Sequence, residues 1–347
     1  MSALGAPSSA VPLPAGIVRE AAGPEQVVLV WGAGALDALM GGLAEAGNLP
    51  LRLTPAETPE MIEVSGAPAL LLLVDVDLLD DTTVGTLDVV RAMAPQTRVC
   101  VLAGAGSGAN GLLRALRAGL SEVVDPHDEQ AVAELLAAQV GRSGERVLAV
   151  GAHPDDVEIG AGATLLRHRS LGHPVSVLTL SRGAVGGHRE DRRREAVGAA
   201  VAMSAELLMG DLPDTRMEDA PDMITLIEGV IATVRPTTVY VHSSADNHQD
   251  HRAVHRAAVI AARRVPQLFC YQSPSSRNEF APTKFVAVDA TIHEKVGVLA
   301  HYRSQATRHY LEPDLVVASA RYWARQLTHT LYAEPFEVLR ASEQATV

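Results

Sequence analysis

Short, mainly apolar runs recur along this chain with helix-length segments between them. Val27 to Trp31, Ala69 to Asp75, Arg98 to Ala103, Val147 to Gly151, Val175 to Thr179 and Thr238 to His242 are the clearest. Such runs carry little polar alternation, so they read as strands buried on both faces, and burial of both faces demands helices above and below a largely parallel sheet. The intervening segments supply them: Ala35 to Ala46, Val84 to Met93, Gly111 to Ala118, Gln130 to Val140, Arg189 to Met203 and Met223 to Val234. The fold class is α/β.

A chain of 347 residues exceeds one typical domain, so two are expected. Residues 25–141 hold a succession of β/α units and predict a doubly wound, flavodoxin-like domain. Gly141-Arg142-Ser143-Gly144 reads as a hinge, and residues 145–347 restart the pattern as a Rossmann-like domain with a β-rich C-terminal part, including Leu268 to Gln272 and Lys284 to Val288. Residues 1–24, rich in Ala, Pro, Ser and Gly, are expected to form a flexible tail.

Charge and composition exclude several partners. Residues 1–145 carry 18 acidic and 7 basic side chains and residues 146–347 carry 23 and 22, so neither half offers the basic face that nucleic acid requires. The longest apolar run, Ala67 to Val74, is too short to span a bilayer, and the first 16 residues lack the basic and apolar regions of a leader. A cytoplasmic protein with no nucleic acid or membrane partner is the expectation. Cys100 and Cys270 fall in separate apolar runs and read as two buried thiols. Only 2 of the 29 basic residues are lysines, which points to a GC-rich bacterial source.

The chemistry concentrates at two strand ends. Ala152-His153-Pro154-Asp155-Asp156 follows the apolar run that ends at Gly151, and Asp246-Asn247-His248-Gln249-Asp250-His251 follows the one that ends at His242. Two readings of the first cluster stand: a histidine and a carboxylate three positions apart can grip one divalent cation, or the paired aspartates cap the next helix. The second cluster adds what a catalytic cation needs, since His153, Asp156 and His251 make three protein ligands at the carboxyl ends of strands, where open α/β sheets bind ligands.

With Ser181-Arg182-Gly183, Gly186-Gly187, Arg192 and Glu195, Leu212-Pro213-Asp214 with Met217, Lys295 and Tyr332-Ala333-Glu334-Pro335-Phe336 in order, residues 145–340 resemble the LmbE/PIG-L family of metal-dependent N-deacetylases. The resemblance implies zinc, with ferrous iron also accepted, on His153, Asp156 and His251. It implies Asp155 as the general base that takes a proton from water, and a cationic His248 that stabilises the oxyanion or protonates the departing amine. Asp250 is expected to orient an imidazole. Arg192 is expected to donate to sugar hydroxyls and Asp214 to accept from them, with His188 lining the cleft. The substrate implied is an N-acetylated amino sugar, such as an N-acetylglucosaminyl small molecule in thiol-cofactor or natural-product biosynthesis. Some relatives carry a tyrosine in the loop before the second cluster, where Ser243 to Asn247 has none. His255, four residues after His251, reads as packing or solvated, and His168 and His173 stand in no motif.

In the first domain Asp75 ends a strand where a response-regulator receiver would carry its phosphoacceptor, and the domain resembles one. The supports of phosphotransfer are replaced: Trp31-Gly32 stands for the acidic pair, Ala103-Gly104 for the hydroxyl position and Asp125, next to Pro126, for the lysine. A degenerate receiver-like domain serving packing, partner docking or a homodimer is expected. Against the hydrolase stands a receiver-linked signalling or scaffold protein with a non-catalytic metal site.

Overall fold

A computed structural model describes residues 12–21, 26–32, 36–45, 48–65, 71–94, 97–104, 106–128, 130–132, 134–135, 145–217 and 221–342. The chain divides into two compact units, one of residues 24–144 with 170–172 and one holding the remainder. The predicted hinge at 141–144 lies outside the described residues.

The smaller unit is a five-stranded parallel sheet. Strands β2 (Gln26–Trp31), β3 (Asn48–Arg52), β4 (Leu71–Asp75), β5 (Arg98–Leu102) and β6 (Val123–Val124) lie in the order β3-β2-β4-β5-β6, the flavodoxin-like arrangement. Helices α1 (Asp37–Glu45), α2 (Thr58–Ser65), α3 (Asp81–Met93) and α4 (Ala109–Arg117) connect them. Leu72 and Val74 pack in one apolar cluster and Leu71 and Leu73 in the other, so β4 is covered on both faces. Asp75 uses its carboxylate locally, accepting the Asp77 amide at 3.1 Å.

The larger unit is built on eight strands. A parallel core of β7 (Val147–Gly151), β8 (Val175–Thr179), β9 (Glu206–Met209), β10 (Thr238–His242) and β11 (Gln267–Tyr271) is flanked by β1 (Val18–Ala21), β12 (Lys284–Ala287) and β13 (Ala333–Ala341), in the order β1-β9-β8-β7-β10-β11-β13-β12. The three flanking strands pair antiparallel, β1 on one edge and the C-terminal β13 and β12 on the other. Helices α5 (Asp156–Ser170), α6 (Arg189–Ala202), α7 (Pro221–Val234) and α8 (Gln249–Ala261) cover the faces, and α9 (Ile292–Leu299) and α10 (Pro313–Trp323) follow. Alternate residues of one strand enter opposite cores: Leu148 and Val150 join one cluster with α7 and α8, Val147 and Ala149 the other with α5 and α6.

Strand β1 corrects the expected tail. Val18 pairs with Met209 and Glu20 bridges Arg182 at 3.0 Å and Arg193 at 2.7 Å, so residues 18–21 close the edge of the sheet. A four-residue strand within an Ala- and Pro-rich stretch takes its order from the partner edge, which composition does not display.

The sheet reverses its winding between β7 and β10. β7 leads to β8 and β9 on one side, β10 to β11 on the other, and the crevice beyond their carboxyl ends is where such folds place ligands. Helix α5 can approach that crevice because Gly160 faces the Tyr271 ring, where a Cβ would lie 2.2 Å from a ring carbon.

Candidate active site

Both sequence clusters arrive at this crevice. The turn after β7 places Asp155 at φ 93°, a left-handed conformation uncommon for a residue other than glycine, and holds it with a guanidinium beside its carboxylate. Asp156 opens α5, and His248 caps α8 at the end of the loop that follows β10. Together they line a cleft of about 360 Å³ with Gly183, Thr215, Pro274, Arg308 and Tyr310.

Asp156 is the hub of the expected ligand set. Its Oδ2 lies 3.3 Å from Nδ1 of His153 and its Oδ1 lies 3.3 Å from Nε2 of His251. Oδ2 also accepts the His153 amide at 2.7 Å, so the local turn bond and the approach to the imidazoles coexist.

Each histidine has its other ring nitrogen tied to carboxylate. Nε2 of His153 lies 3.1 Å from Asp250 and 3.0 Å from Asp214, while Nδ1 of His251 lies 3.0 Å from Asp246. That pattern fixes the ring so that the remaining nitrogen can offer its lone pair to a cation, as around protein-bound zinc. Burial lowers the pKa of His153, but Asp156, Asp214 and Asp250 outweigh it and push it up to about 12. For His251 burial is likewise overcome by Asp156 and Asp246, to about 9. So much negative charge focused on two imidazoles is a setting for positive charge, and two nitrogens with one carboxylate fit a divalent transition metal.

Asp155 stands apart from this set. It is 6% exposed and contacts no histidine of the cluster; its Oδ2 meets Arg192 at 3.3 Å (Nη1) and 3.2 Å (Nη2). Burial pushes its pKa up to about 7, Arg192 opposes that, and Asp156 and Glu158 add to it. A carboxyl group balanced near neutrality suits a general base.

Several expectations need correction. Arg192 is 3% exposed and places its two Nη atoms on Asp155 and the Pro154 carbonyl, with Tyr302 at 5.6 Å beneath it, so it positions the turn; it also lines the cleft, and its Nε has no hydrogen-bond partner among the described residues. Asp214 is committed on both oxygens, to His153 and to the Val185 amide at 2.7 Å, which anchors the glycine loop to the ligand. His188 is exposed at the start of α6, near Asp191 at 3.7 Å, and does not line the cleft. His248 accepts the Asp250 amide on Nδ1 at 3.2 Å, and burial together with the charges of His251 and His153 lowers its pKa. Both features disfavour the cationic form expected of His248.

Asp250 lies 3.1 Å from Nε2 of His153 and accepts the Thr215 and Met217 amides at 2.7 and 3.2 Å. His255 packs against β10, its Nδ1–H donating to the His242 carbonyl at 2.8 Å. Three contributors had no sequence assignment. Asp246 binds His251 and is itself held by Ser273, Ser275 and the His248 amide. His242 stacks on His251 at 3.8 Å between ring centroids, and its Nε2 accepts the Ala152 amide at 3.1 Å. Glu158 accepts the Tyr302 hydroxyl at 2.8 Å behind Arg192. A carboxylate five residues before a ligand histidine was the one available signal, for Asp246.

Carboxylate-anchored histidines around one aspartate, with a separate buried carboxylate, at the switch point of a parallel sheet define a candidate metal-dependent enzyme site. A family model described as PIG-L, GlcNAc-PI de-N-acetylase, matches residues 148–262, the stretch that carries both clusters. The chain is 35% identical over 162 residues to the uncharacterized deacetylase YaiS of Escherichia coli (strain K12), covering 44% of this chain and 86% of the relative. The chain belongs to the PIG-L family.

Two solved structures share the fold and differ in chemistry. N,N'-diacetylchitobiose deacetylase of Pyrococcus horikoshii matches with TM-score 0.51 at 17% identity over 62% of this chain and 94% of its own. GalB, the 4-carboxy-2-hydroxymuconate hydratase of Pseudomonas putida KT2440, matches with TM-score 0.51 at 20% identity over 58% and 99%. The fold alone therefore does not choose the reaction.

Proposed function

We propose that the protein is a zinc-dependent N-deacetylase that removes the acetyl group from the nitrogen of an amino sugar or an N-acetylglucosaminyl small molecule. The observation that carries this reading is the separation of Asp155 from the ligand cluster: three residues suited to hold a cation, and beside them a buried carboxyl group with a pKa near neutrality. A closed structural site has four protein ligands and no use for such a base.

His153, Asp156 and His251 hold the cation, zinc or ferrous iron, and when bound it supplies Lewis acidity to water and to a carbonyl oxygen. Asp155 accepts the proton that water loses as it attacks the amide carbon, and Arg192 keeps the carboxylate aimed from the turn. His248, through Nε2–H, donates a hydrogen bond to the developing oxyanion, and Asp155 passes the proton it took from water to the amine nitrogen as the carbon–nitrogen bond breaks. The products are acetate and a free amine.

Residues 25–141 we read as a degenerate receiver-like domain used for packing or for a homodimer, and the protein as cytoplasmic; no helix among the described residues is long and apolar enough to cross a membrane. The test is release of primary amine and acetate, one to one, from N-acetylglucosaminides incubated with purified protein. Acetate without matching amine, or turnover only of an unsaturated acid by hydration, contradicts the reading.

A further inference from the structure

A second cluster of ligand-type side chains lies at the opposite end of the same sheet. Glu145 lies two residues before β7, His168 lies in the last turn of α5 and His173 lies two residues before β8. One ligand atom from each can be chosen so that all lie within 4.8 Å of one another. All three belong to the larger compact unit.

Nδ1 of His168 and Nδ1 of His173 face each other at 2.9 Å, and Nδ1 of His173 lies 3.7 Å from Oε2 of Glu145. Ligands at about 2.0–2.1 Å from a tetrahedral ion stand about 3.3 Å apart, so the two separations bracket what one ion imposes. Second contacts hold two of the three donors in place. Nε2 of His168 lies 3.0 Å from the Tyr240 hydroxyl, and with its proton there Nδ1 is left with a lone pair. The Thr238 hydroxyl donates to Oε1 of Glu145 at 2.8 Å, while Oε2 has no hydrogen bond among the described residues.

Access and protonation fit as well. His168 is buried, whereas the side chains of His173 and Glu145 are 16% and 30% exposed, so an ion can enter from their side and keep a water. Arg167 and Lys284 add positive charge nearby and Glu145 is the one carboxylate of the set. Affinity must then come from nitrogen coordination more than from negative charge, which selects zinc, nickel or copper over magnesium or calcium.

We propose that Glu145, His168 and His173 form a second transition-metal site, distinct from the catalytic cleft, that ties α5 and the strand starts of β7 and β8 together. The test counts ions on the full chain. Protein saturated with zinc, freed of excess by gel filtration and analysed for metal should carry two equivalents. His173→Ala and Glu145→Gln should each carry one, and His251→Ala should carry one by losing the other ion. Cobalt substitution should give two d–d absorption envelopes, of which His173→Ala removes one. A wild-type count that stops at one, or a second ion that survives both His173→Ala and Glu145→Gln, overturns the site. If one variant fails to fold, the wild-type count and the other variant still decide.

Discussion

Nδ1 of His251 lies 3.0 Å from Oδ2 of Asp246, a carboxylate that two serine hydroxyls and the His248 amide also bind. His251 thus enters the cleft already oriented, with Nε2 toward Asp156. Asp246→Ala should keep the fold of the sheet and weaken metal binding by roughly 10–100-fold, the usual cost of removing such a partner. His251→Ala should lose the catalytic ion outright. Competition titration with a chromophoric chelator reads both.

Arg192 lowers the pKa of Asp155 against burial. A base must be ionised to act, so the rate rises as pH rises through that pKa. Arg192→Gln removes the opposing charge, moves the acid limb of kcat/KM to higher pH, and costs about tenfold at pH below the limb for each unit of displacement. The deficit should shrink at pH 9; a deficit constant with pH would mean that Arg192 acts in substrate binding.

Burial lowers the pKa of His168 to about 4, with Glu145 opposing and His173, Arg167 and Lys284 assisting. The folded value is below the unfolded value of about 6.5, so this contribution to stability is complete above pH 6.5 and lost as pH falls toward 4. In chelator, Tm should fall between pH 7 and 4.5, and His168→Gln should start lower and show a shallower fall. An unchanged slope would place the acid sensitivity elsewhere.

Asp75 caps its own turn, and the positions that would support phosphotransfer are Trp31-Gly32 and Asp125. Acetyl phosphate should leave the protein unlabelled at Asp75, and Asp75→Ala should change deacetylation by less than about twofold. Removing residues 1–144 is a harsher change than the domain boundary suggests, because it also strips β1 and the Glu20 bridges to Arg182 and Arg193. That truncation should lower Tm; retaining residues 12–23 on the edge of the sheet should restore it.

The parallel cores and the two clusters were legible because each depends on neighbours in sequence. Val147 to Gly151 reads as a buried strand from five apolar residues, and the next turn brings His153 and Asp156 together by spacing alone. What a side chain does with its second end was not legible. Arg192 and Asp214 carry groups suited to sugar hydroxyls, yet at the cleft wall each also holds a neighbour, Asp155 in one case and His153 in the other. Asp246 and His242 act through contacts with His251, and His242 gains its other partner, Ala152, across 90 residues of chain. Strand β1 was hidden because its order comes from pairing with β9.

In the proposed mechanism two adjacent carboxylates divide the labour, Asp156 holding the cation and Asp155 moving the proton. Metal content and kcat measured on one preparation of Asp155→Asn separate the two roles. The expected result is a full catalytic ion with kcat reduced by roughly 10²–10⁴. Loss of that ion together with activity would make Asp155 a ligand and contradict the assignment, as would an unchanged kcat.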